Sequence, residues 1–352
     1  MAEMMKAVSA LAEGKVGIVE IPKPVPGDYE CLTKIQYCGI CNGTDLKLIH
    51  NRVTNQQIPY PTILGHESVG TIVEVGKKVR NWHIGDRVVS PIGTVDPSCG
   101  YNRHYGQMAE YGITHDIQAM MEDGIPLSNQ PPVPDYRGKL IPAGMTLRDA
   151  VMLLTLKENY SALTNFGFRS GMDVLIIGDG PVAMGISCIA RARGAGVIAV
   201  LGHHADRLAH ISRHVAVDYA VNTAEADPMT ALGSQQFDLV IDAVGTLATA
   251  VQLSHRLRPG GMLGMYGVMT YDKANLNLFN LPNHISLHML NWPVGEHRCH
   301  PEVCALVEQG VLVPSLYYSH VLPMEQAEEG FRLVESRQAF KVILQMPGTT
   351  EE

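Results

Sequence analysis

A short apolar strand that breaks into a glycine turn and continues as a small-residue helix is the feature that most constrains this chain. The strand is Val174–Ile177 and the turn reads Gly178-Asp-Gly180-Pro-Val-Ala183. Gly178 permits a tight turn, Gly180 lets the backbone approach a pyrophosphate, and Ala183 keeps the helix close to the strand. The helix N-terminus then offers amides and a positive dipole end to phosphates. The pattern predicts a dinucleotide-binding site.

Further strand signals follow this turn at the spacing of βαβ units. The segment 197–201 comes after a crossover of suitable length, and 237–245 and 262–268 read as later strands. The alternation of strand and helix signals continues from about residue 172 to 270, which predicts a doubly wound parallel sheet. A lone glycine fingerprint is a weak signal, and it is the series of strands that favours nucleotide binding.

Composition places the chain among ordinary globular proteins. Its 352 residues suffice for two domains, and 46% are hydrophobic and 18% charged. The net charge of -8, without a stripe of Lys or Arg, argues against nucleic acid as a partner. We find no secretory leader and no apolar run of about 18 residues, so we expect no membrane association and a cytoplasmic location. Seven cysteines fit reduced thiols or metal ligands better than a disulfide framework.

The remainder of the chain differs from the nucleotide segment. Residues 1 to about 115 carry short strand signals separated by Gly, Pro and Asn, typical of a β-rich module. Residues 116–140 are rich in Met and Pro and predict a long surface loop or short lid. We predict a first domain at 1–147, a nucleotide domain at 148–290, and a segment 291–352 that returns to the first domain through a strand at 340–345.

Two stretches of the β-rich part carry candidate metal ligands. They are Cys38-Gly-Ile-Cys41-Asn-Gly-Thr44-Asp45 and Gly65-His66-Glu67. A thiolate and an imidazole in glycine-punctuated turns are good zinc ligands, and a neighbouring carboxylate can coordinate or orient them. No second C-x-x-C pair follows, so Cys38 fits a buried thiol better than a four-thiolate site. His66 alone would more often be a core histidine.

Together with Gly85-Asp-Arg-Val88, 106–111 and the nucleotide turn, these stretches closely resemble the medium-chain dehydrogenase/reductase superfamily, and within it the zinc-dependent alcohol and polyol dehydrogenases. The resemblance covers nearly the whole chain. It implies an α/β protein with a GroES-like β-rich catalytic domain, a Rossmann domain, and an active site between them. It also implies a small-molecule alcohol or ketone as substrate and a homo-oligomer, either dimer or tetramer.

The resemblance assigns the metal ligands by position. Cys41 and His66 match the first two ligands of one catalytic zinc, and Glu67 matches the carboxylate that can approach or replace a water on the metal. The third ligand of relatives falls near Leu153 or Leu154, neither of which can bind metal. Glu158, one helical turn further on, is one candidate; Cys41, His66 and Glu67 with water are the other. Because the segment 91–106 holds Cys99 as its one cysteine, we expect no structural zinc.

The proton relay departs from relatives as well. Their Ser or Thr stands two residues after the first ligand, whereas Thr44 stands three residues after Cys41. We favour Thr44 as the relay, supported by Asp45. Lys47 replaces the histidine that often extends the relay, with His50 nearby.

Coenzyme preference is read at the end of the second Rossmann strand. A site that prefers NAD usually ends this strand with an acidic residue that accepts from the ribose 2′-hydroxyl. Counting 24 residues from Gly178 reaches Gly202 instead, followed by donors. With no carboxylate to repel a 2′-phosphate, NADP(H) is favoured over NAD(H), although the histidines would also fit an exposed turn. The predicted coenzyme-binding residues are Gly178, Gly180, Pro181, Val182, Gly202, His203, His204, Arg207, Val244 and Gly267.

These features predict an NAD(P)-dependent alcohol dehydrogenase that interconverts a secondary alcohol, with polyols and sugar derivatives as candidates, and its ketone. Two alternatives stay open. One is a zinc-free quinone or enone reductase of the same superfamily, which the Cys41, His66 and Glu67 set argues against and the missing third ligand keeps open. The other is a nucleotide-binding protein that has lost catalysis.

Overall fold

The structure, a computed structural model, describes residues 2–52, 58–93, 99–103, 105–126, 139–269, 275–290 and 294–350. Its described residues divide into two compact units. The first takes the residues up to 154 and those from 314 onward, and the second takes 155–313. The boundaries predicted from the sequence are 147 and 290.

The strands of the described residues are numbered in chain order. They are β1 (Met4–Ala12), β2 (Lys15–Pro22), β3 (Glu30–Gly39), β4 (Thr62–Ile63), β5 (Glu67–Val75), β6 (Arg87–Val89), β7 (Asn102–Arg103), β8 (Tyr111–His115), β9 (Lys139–Leu140), β10 (Val174–Ile177), β11 (Ile198–Gly202), β12 (Tyr219–Asn222), β13 (Phe237–Asp242), β14 (Leu257–Met265), β15 (Ser286–Met289), β16 (His320–Pro323) and β17 (Val342–Gln345).

The α-helices of the same residues are numbered likewise. They are α1 (Asp45–Ile49), α2 (Ile117–Glu122), α3 (Leu147–Ala150), α4 (Met152–Asn165), α5 (Pro181–Ala192), α6 (Ala205–His214), α7 (Pro228–Ala231), α8 (Leu247–Ser254), α9 (His300–Glu308) and α10 (Ala327–Glu335). In the described parts of the chain, every helix is too short or too polar to span a bilayer.

The first unit is built on two sheets of short, mainly antiparallel strands. One sheet has the order β2-β1-β4-β7, and the other has the order β16-β17-β3-β5-β6-β9, with β8 also paired to β3. β3 lies between β17 and β5, so the last strand of the chain pairs with the strand that leads to Cys41. The predicted β-rich, GroES-like part of the fold is confirmed.

The second unit contains a parallel sheet with the order β12-β11-β10-β13-β14-β15. All four residues of β10 are buried, as expected for a strand covered on both faces. The order reverses direction between β10 and β13, and a doubly wound sheet binds its ligands at such a switch point. The predicted Rossmann part of the fold is therefore confirmed too.

One sequence prediction in the first unit is wrong. The segment 116–140 is predicted to form a long surface loop or short lid, yet α2 forms at its start because the Asp116 carboxylate accepts a hydrogen bond from the Ala119 amide and caps the helix. Ile117 and Ala119 are buried, so this turn belongs to the packed unit. Residues 127–138 of the predicted loop lie outside the described residues.

Candidate functional site

The pairing of β3 with β5 brings the two motif stretches of the first unit together. The strands are antiparallel, and Gly39 at the end of β3 stands opposite Glu67 at the start of β5. The residues just beyond β3, including Cys41, therefore meet the residue just before β5, His66. Gly65 makes this turn possible, because its φ is +89° and a Cβ there would lie 2.7 Å from the Met108 amide nitrogen.

Cys41, His66 and Glu67 form a group that could hold a metal ion. Their ligand atoms all lie within 4.8 Å of one another. His66 and Glu67 are 8% and 3% exposed, and Cys41 is half-buried. Zinc takes Cys sulfur, His nitrogen and carboxylate oxygen at about 2.0–2.3 Å, so three donors this close fit a zinc ion.

Asp45 contacts two members of this group. Its carboxylate, fully buried, accepts from the Cys41 amide at 2.9 Å, and its Oδ1 lies 3.4 Å from His66 Nδ1. His66 Nδ1 is thereby turned to Asp45, which leaves Nε2 for the metal, the arrangement that carboxylates impose on zinc-binding histidines. Burial acts to lower the pKa of His66, but Asp45 and Cys41 outweigh it and hold the pKa well above its ordinary value.

Lys341 completes the surroundings of Glu67. Its Nζ lies 2.5 Å from Glu67 Oε2, while Glu67 Oε1 lies 3.9 Å from His66 Nε2. Both partners are buried, so the cation offsets the cost of holding a carboxylate away from water. Gly39 leaves room for the pair, since a Cβ there would lie 2.7 Å from Glu67 Oε2 and 3.1 Å from Lys341 Cε. Sequence reasoning missed Lys341, which stands at the head of the closing strand.

Thr44 lies beside the first ligand. Its amide donates to Cys41 Sγ at 3.4 Å, and the residue is 5% exposed. Thr44 directly precedes α1. It stands three positions after Cys41 instead of the two positions expected from the resemblance, so this turn has one additional residue between them. His50, at the other end of α1, has its Nε2 2.8 Å from Glu335 Oε1.

Cys38 differs from Cys41 in its surroundings. It is fully buried, and burial, with the nearby Asp45 and Glu67 carboxylates, raises the pKa of its thiol well above the ordinary value. Its Sγ donates to the Gly39 carbonyl at 3.7 Å, which agrees with the interpretation of Cys38 as a structural thiol.

The second unit contains the predicted nucleotide turn. Gly178 has a φ of +131°, and a Cβ there would lie 3.2 Å from Val244 Cγ2, at the end of β13. Gly180 caps α5, and Pro181 follows at its first turn. Gly267, after β14, lies so close to Gly245 that a Cβ would reach 2.1 Å from the Gly245 nitrogen. The carboxyl ends of β10, β13 and β14 thus meet at close-packed glycines, where a ligand can approach the backbone.

A carboxylate that the sequence prediction did not anticipate lies next to the end of β11. Asp179 Oδ2 accepts from the His203 and His204 amides at 2.7 and 2.9 Å and lies 2.9 Å from His204 Nδ1. Its Oδ1 lies 3.8 Å from Arg207 Nη1. The premise that no carboxylate lies near Gly202 is therefore wrong. Asp179 belongs to the glycine turn between β10 and α5, and its carboxylate lies next to Gly202.

The region of the expected third ligand is divided between the two units. Leu153 and Leu154 are buried apolar residues of α4 in the first unit. Glu158 belongs to the second unit, where its Oε2 accepts from the Tyr266 hydroxyl at 3.3 Å. Its role as a metal ligand stays a prediction.

Two family models match the sequence of this chain. Residues 27–123 match the alcohol dehydrogenase GroES-like domain, and residues 212–344 match the zinc-binding dehydrogenase family. The chain is 28% identical to L-threonine 3-dehydrogenase of Pectobacterium carotovorum, over 97% of this chain and 98% of that protein.

Solved structures are similar over their full length. Alcohol dehydrogenase TADH from Thermus sp. ATN1 is 25% identical, with a TM-score of 0.76, over 97% of this chain and 100% of that one. A zinc-binding dehydrogenase from Sinorhizobium meliloti 1021, solved bound to NADP, is 22% identical, with a TM-score of 0.76, over 97% and 99%. With the Cys41–His66–Glu67 group and the switch-point glycines, these similarities identify the chain as a member of the medium-chain dehydrogenase/reductase superfamily, akin to its zinc-binding dehydrogenases.

Proposed function

We propose that this protein interconverts a secondary alcohol and its ketone, with one catalytic zinc and NADP(H). The observation that carries the proposal is the Cys41–His66–Glu67 group, whose donor atoms lie within 4.8 Å of one another. A further support is the relative from Pectobacterium carotovorum, since position 3 of L-threonine is a secondary alcohol.

Residues of the first unit would have different roles at the metal. Cys41 and His66 would hold the zinc, and Asp45 would fix the His66 ring so that Nε2 faces the ion. Glu67, shared with Lys341, would supply an oxygen that can approach or leave the metal. When bound, zinc supplies Lewis acidity to a substrate oxygen, and the nicotinamide supplies the hydride chemistry.

Thr44 would move the substrate proton. A threonine hydroxyl both accepts and donates, so it can take a proton from the substrate hydroxyl and pass its own to solvent. Its location beside Cys41, with its amide on the sulfur at 3.4 Å, supports this role.

The preference for NADP(H) depends on charge at the end of β11. Gly202 brings no side chain, and His203, His204 and Arg207 bring donors suited to a 2′-phosphate. Asp179 opposes them with one negative charge. We therefore expect NADPH to bind more tightly than NADH, and a tenfold preference for NADH, about 1.4 kcal/mol, would contradict the proposal.

Metal analysis of the purified protein tests the zinc. We expect about one zinc per chain, lost together with turnover in Cys41→Ala. Cys38→Ala is the matched control, because Cys38 belongs to the same C-x-x-C pair but is a buried thiol, and it should keep its zinc. Full activity of a metal-free preparation would contradict the proposal.

A zinc-free quinone or enone reductase is the second candidate, favoured by Leu153 and Leu154 at the position of the third ligand. It predicts full turnover of quinones or enones with chelator present. Failure to oxidise NADPH with any member of a carbonyl panel would instead favour a nucleotide-binding protein without catalysis.

A further inference from the structure

The turn after β11 has the donors of an anion site, and a side chain of the protein already uses them. Two consecutive amides, those of His203 and His204, point to Asp179 Oδ2 at the start of the ten-residue helix α6. His204 Nδ1 contacts the same oxygen, and Arg207 lies 3.8 Å from Oδ1. A helix N-terminus with cationic side chains is the usual environment of a bound phosphate.

Asp179 is an integral part of this turn. The residue is 8% exposed. Burial acts to raise the pKa of its carboxyl, but the hydrogen bonds from His204 and the two amides outweigh burial and hold the pKa below the ordinary value. The carboxyl is therefore ionised at neutral pH, and it neutralises part of the positive charge of the turn.

The position of the carboxylate relates it to the coenzyme. A Cβ on Gly202 would lie 2.5 Å from Asp179 Cβ and 2.7 Å from Asp179 Oδ2. In doubly wound folds the last residue of this strand faces the adenosine ribose and its 2′ substituent. Asp179 thus brings a negative charge next to the position from which an acidic side chain usually approaches the ribose.

We propose that Asp179 is a specificity-determining residue that weakens the discrimination between NADP(H) and NAD(H), by competing with the 2′-phosphate for the His203–His204 amides, His204 and Arg207. The inference rests on the proposed binding of a nicotinamide dinucleotide at this unit. Arg207 and the amide donors favour the phosphate and Asp179 opposes it, so removal of the carboxylate charge strengthens the preference for NADP(H).

The same contacts make Gly202→Asp an unsuitable test of coenzyme preference. A new side chain at Gly202 would meet Asp179 at a distance that forces the turn to move, and it would place two carboxylates together. The informative change is at Asp179 itself.

Asp179→Asn keeps the size of the side chain and one oxygen acceptor for the amides, and it removes the charge. We expect the ratio of kcat/KM for NADPH to kcat/KM for NADH to rise about tenfold, equivalent to about 1.4 kcal/mol. Asp206→Asn is the matched control, since Asp206 is an exposed carboxylate in the first turn of the same helix. It removes an equal charge and should leave the ratio within twofold.

Binding of nucleotide fragments tests the inference without turnover. Calorimetry with 5′-AMP and with adenosine 2′,5′-bisphosphate isolates the contribution of the 2′-phosphate. In Asp179→Asn the affinity for the bisphosphate should rise about tenfold relative to AMP, and Asp179→Ser should shift the ratio in the same direction.

The two proposals fail in different ways. If the unmodified protein binds neither fragment and neither dinucleotide, the proposed function fails, and the inference with it. If AMP binds normally but the ratio is unchanged in both Asp179 variants, or both ligands weaken equally, Asp179 merely supports the turn and the inference alone is overturned.

Discussion

Lys341 Nζ and Glu67 Oε2 are 2.5 Å apart in the interior of the first unit, although 273 residues separate them in the sequence. The pair joins the closing strand to a candidate metal ligand. Because Glu67 also approaches His66, loss of the Lys341 charge would alter the charge that a metal would meet.

Lys341→Met should destabilise the protein, because it leaves the Glu67 carboxylate buried without its cation. Loss of one partner of a buried pair costs about 3–5 kcal/mol, measured as the free energy of unfolding in urea. Lys341→Arg keeps the charge and should retain most of the stability. A Lys341→Met variant as stable as the parent would show that Glu67 does not depend on the pair.

Asp45→Asn should weaken metal retention. The amide cannot supply the negative charge that orients His66 and favours its donation to a cation, and such changes typically cost 10–100-fold in affinity. Competition with a chromogenic chelator measures the effect. Asp28→Asn, at an exposed carboxylate of the same unit, should leave the affinity unchanged; equal losses in both variants would contradict the orienting role.

Thr44→Val should lower kcat by about 10²–10⁴, the usual contribution of a proton-transfer group, while the zinc content stays the same. Thr44→Ser keeps the hydroxyl and should recover most of the rate. The pH profile of kcat provides a second reading, since a rate limited by proton loss should rise steeply with pH in the valine variant. Equal rates for the valine and serine variants would exclude Thr44 as the relay.

Glu158→Gln tests the remaining candidate for a third ligand. If Glu158 coordinates zinc, the loss of its charge should weaken zinc retention and lower turnover, with NADPH binding nearly intact. Tyr266→Phe is the control, because it removes the hydroxyl that donates to Glu158 and leaves the carboxylate charge in place. Unchanged metal content and kinetics in Glu158→Gln would identify an ordinary helix residue.

Acid stability should depend on Asp116. Burial acts to raise the pKa of this carboxyl, but hydrogen bonds from Arg80, Ala119 and Asn81 outweigh burial and lower the pKa below the ordinary 3.8. A carboxyl with a lowered folded-state pKa contributes stability above its unfolded-state pKa and loses it as the pH falls through the folded-state value. Urea unfolding between pH 7 and 2 should therefore show a loss of stability below about pH 4.

Asp116→Asn should reduce stability at pH 7 by about 1–2 kcal/mol, because hydrogen bonds to a charged group contribute more than those to a neutral amide, and it should flatten this acid dependence. Asp206→Asn, which removes an exposed carboxylate, should reproduce the parent profile. An unchanged slope in Asp116→Asn would assign the acid sensitivity to other groups.

The sequence predicts those features that depend on short motifs. Cys41, His66 and Glu67 converge because each motif lies at a strand end, and the register of β3 and β5 aligns those ends. The glycine turn and the parallel sheet follow from strand spacing in the same way. Such features need no knowledge of distant residues.

Contacts across the chain were harder to foresee. Nothing near Lys341 indicates that its amine meets Glu67, because the pairing of β17 with β3 decides it. Asp179 was within reach of sequence reasoning: β10 and β11 are parallel neighbours, so the residues after each strand meet at one edge. A search for an acidic residue at the end of β11 overlooks a carboxylate that belongs to the turn after the neighbouring strand β10.

The interrupted first unit has a consequence for biosynthesis. Its closing strands β16 and β17 are translated after the entire second unit, so a nascent chain carries Cys41, His66 and Glu67 long before Lys341 leaves the ribosome. Until then Glu67 lacks its buried cation, and β3 lacks one of its neighbours. A chain truncated before residue 341 would therefore keep the described strands of the second unit and lack the cation that neutralises Glu67.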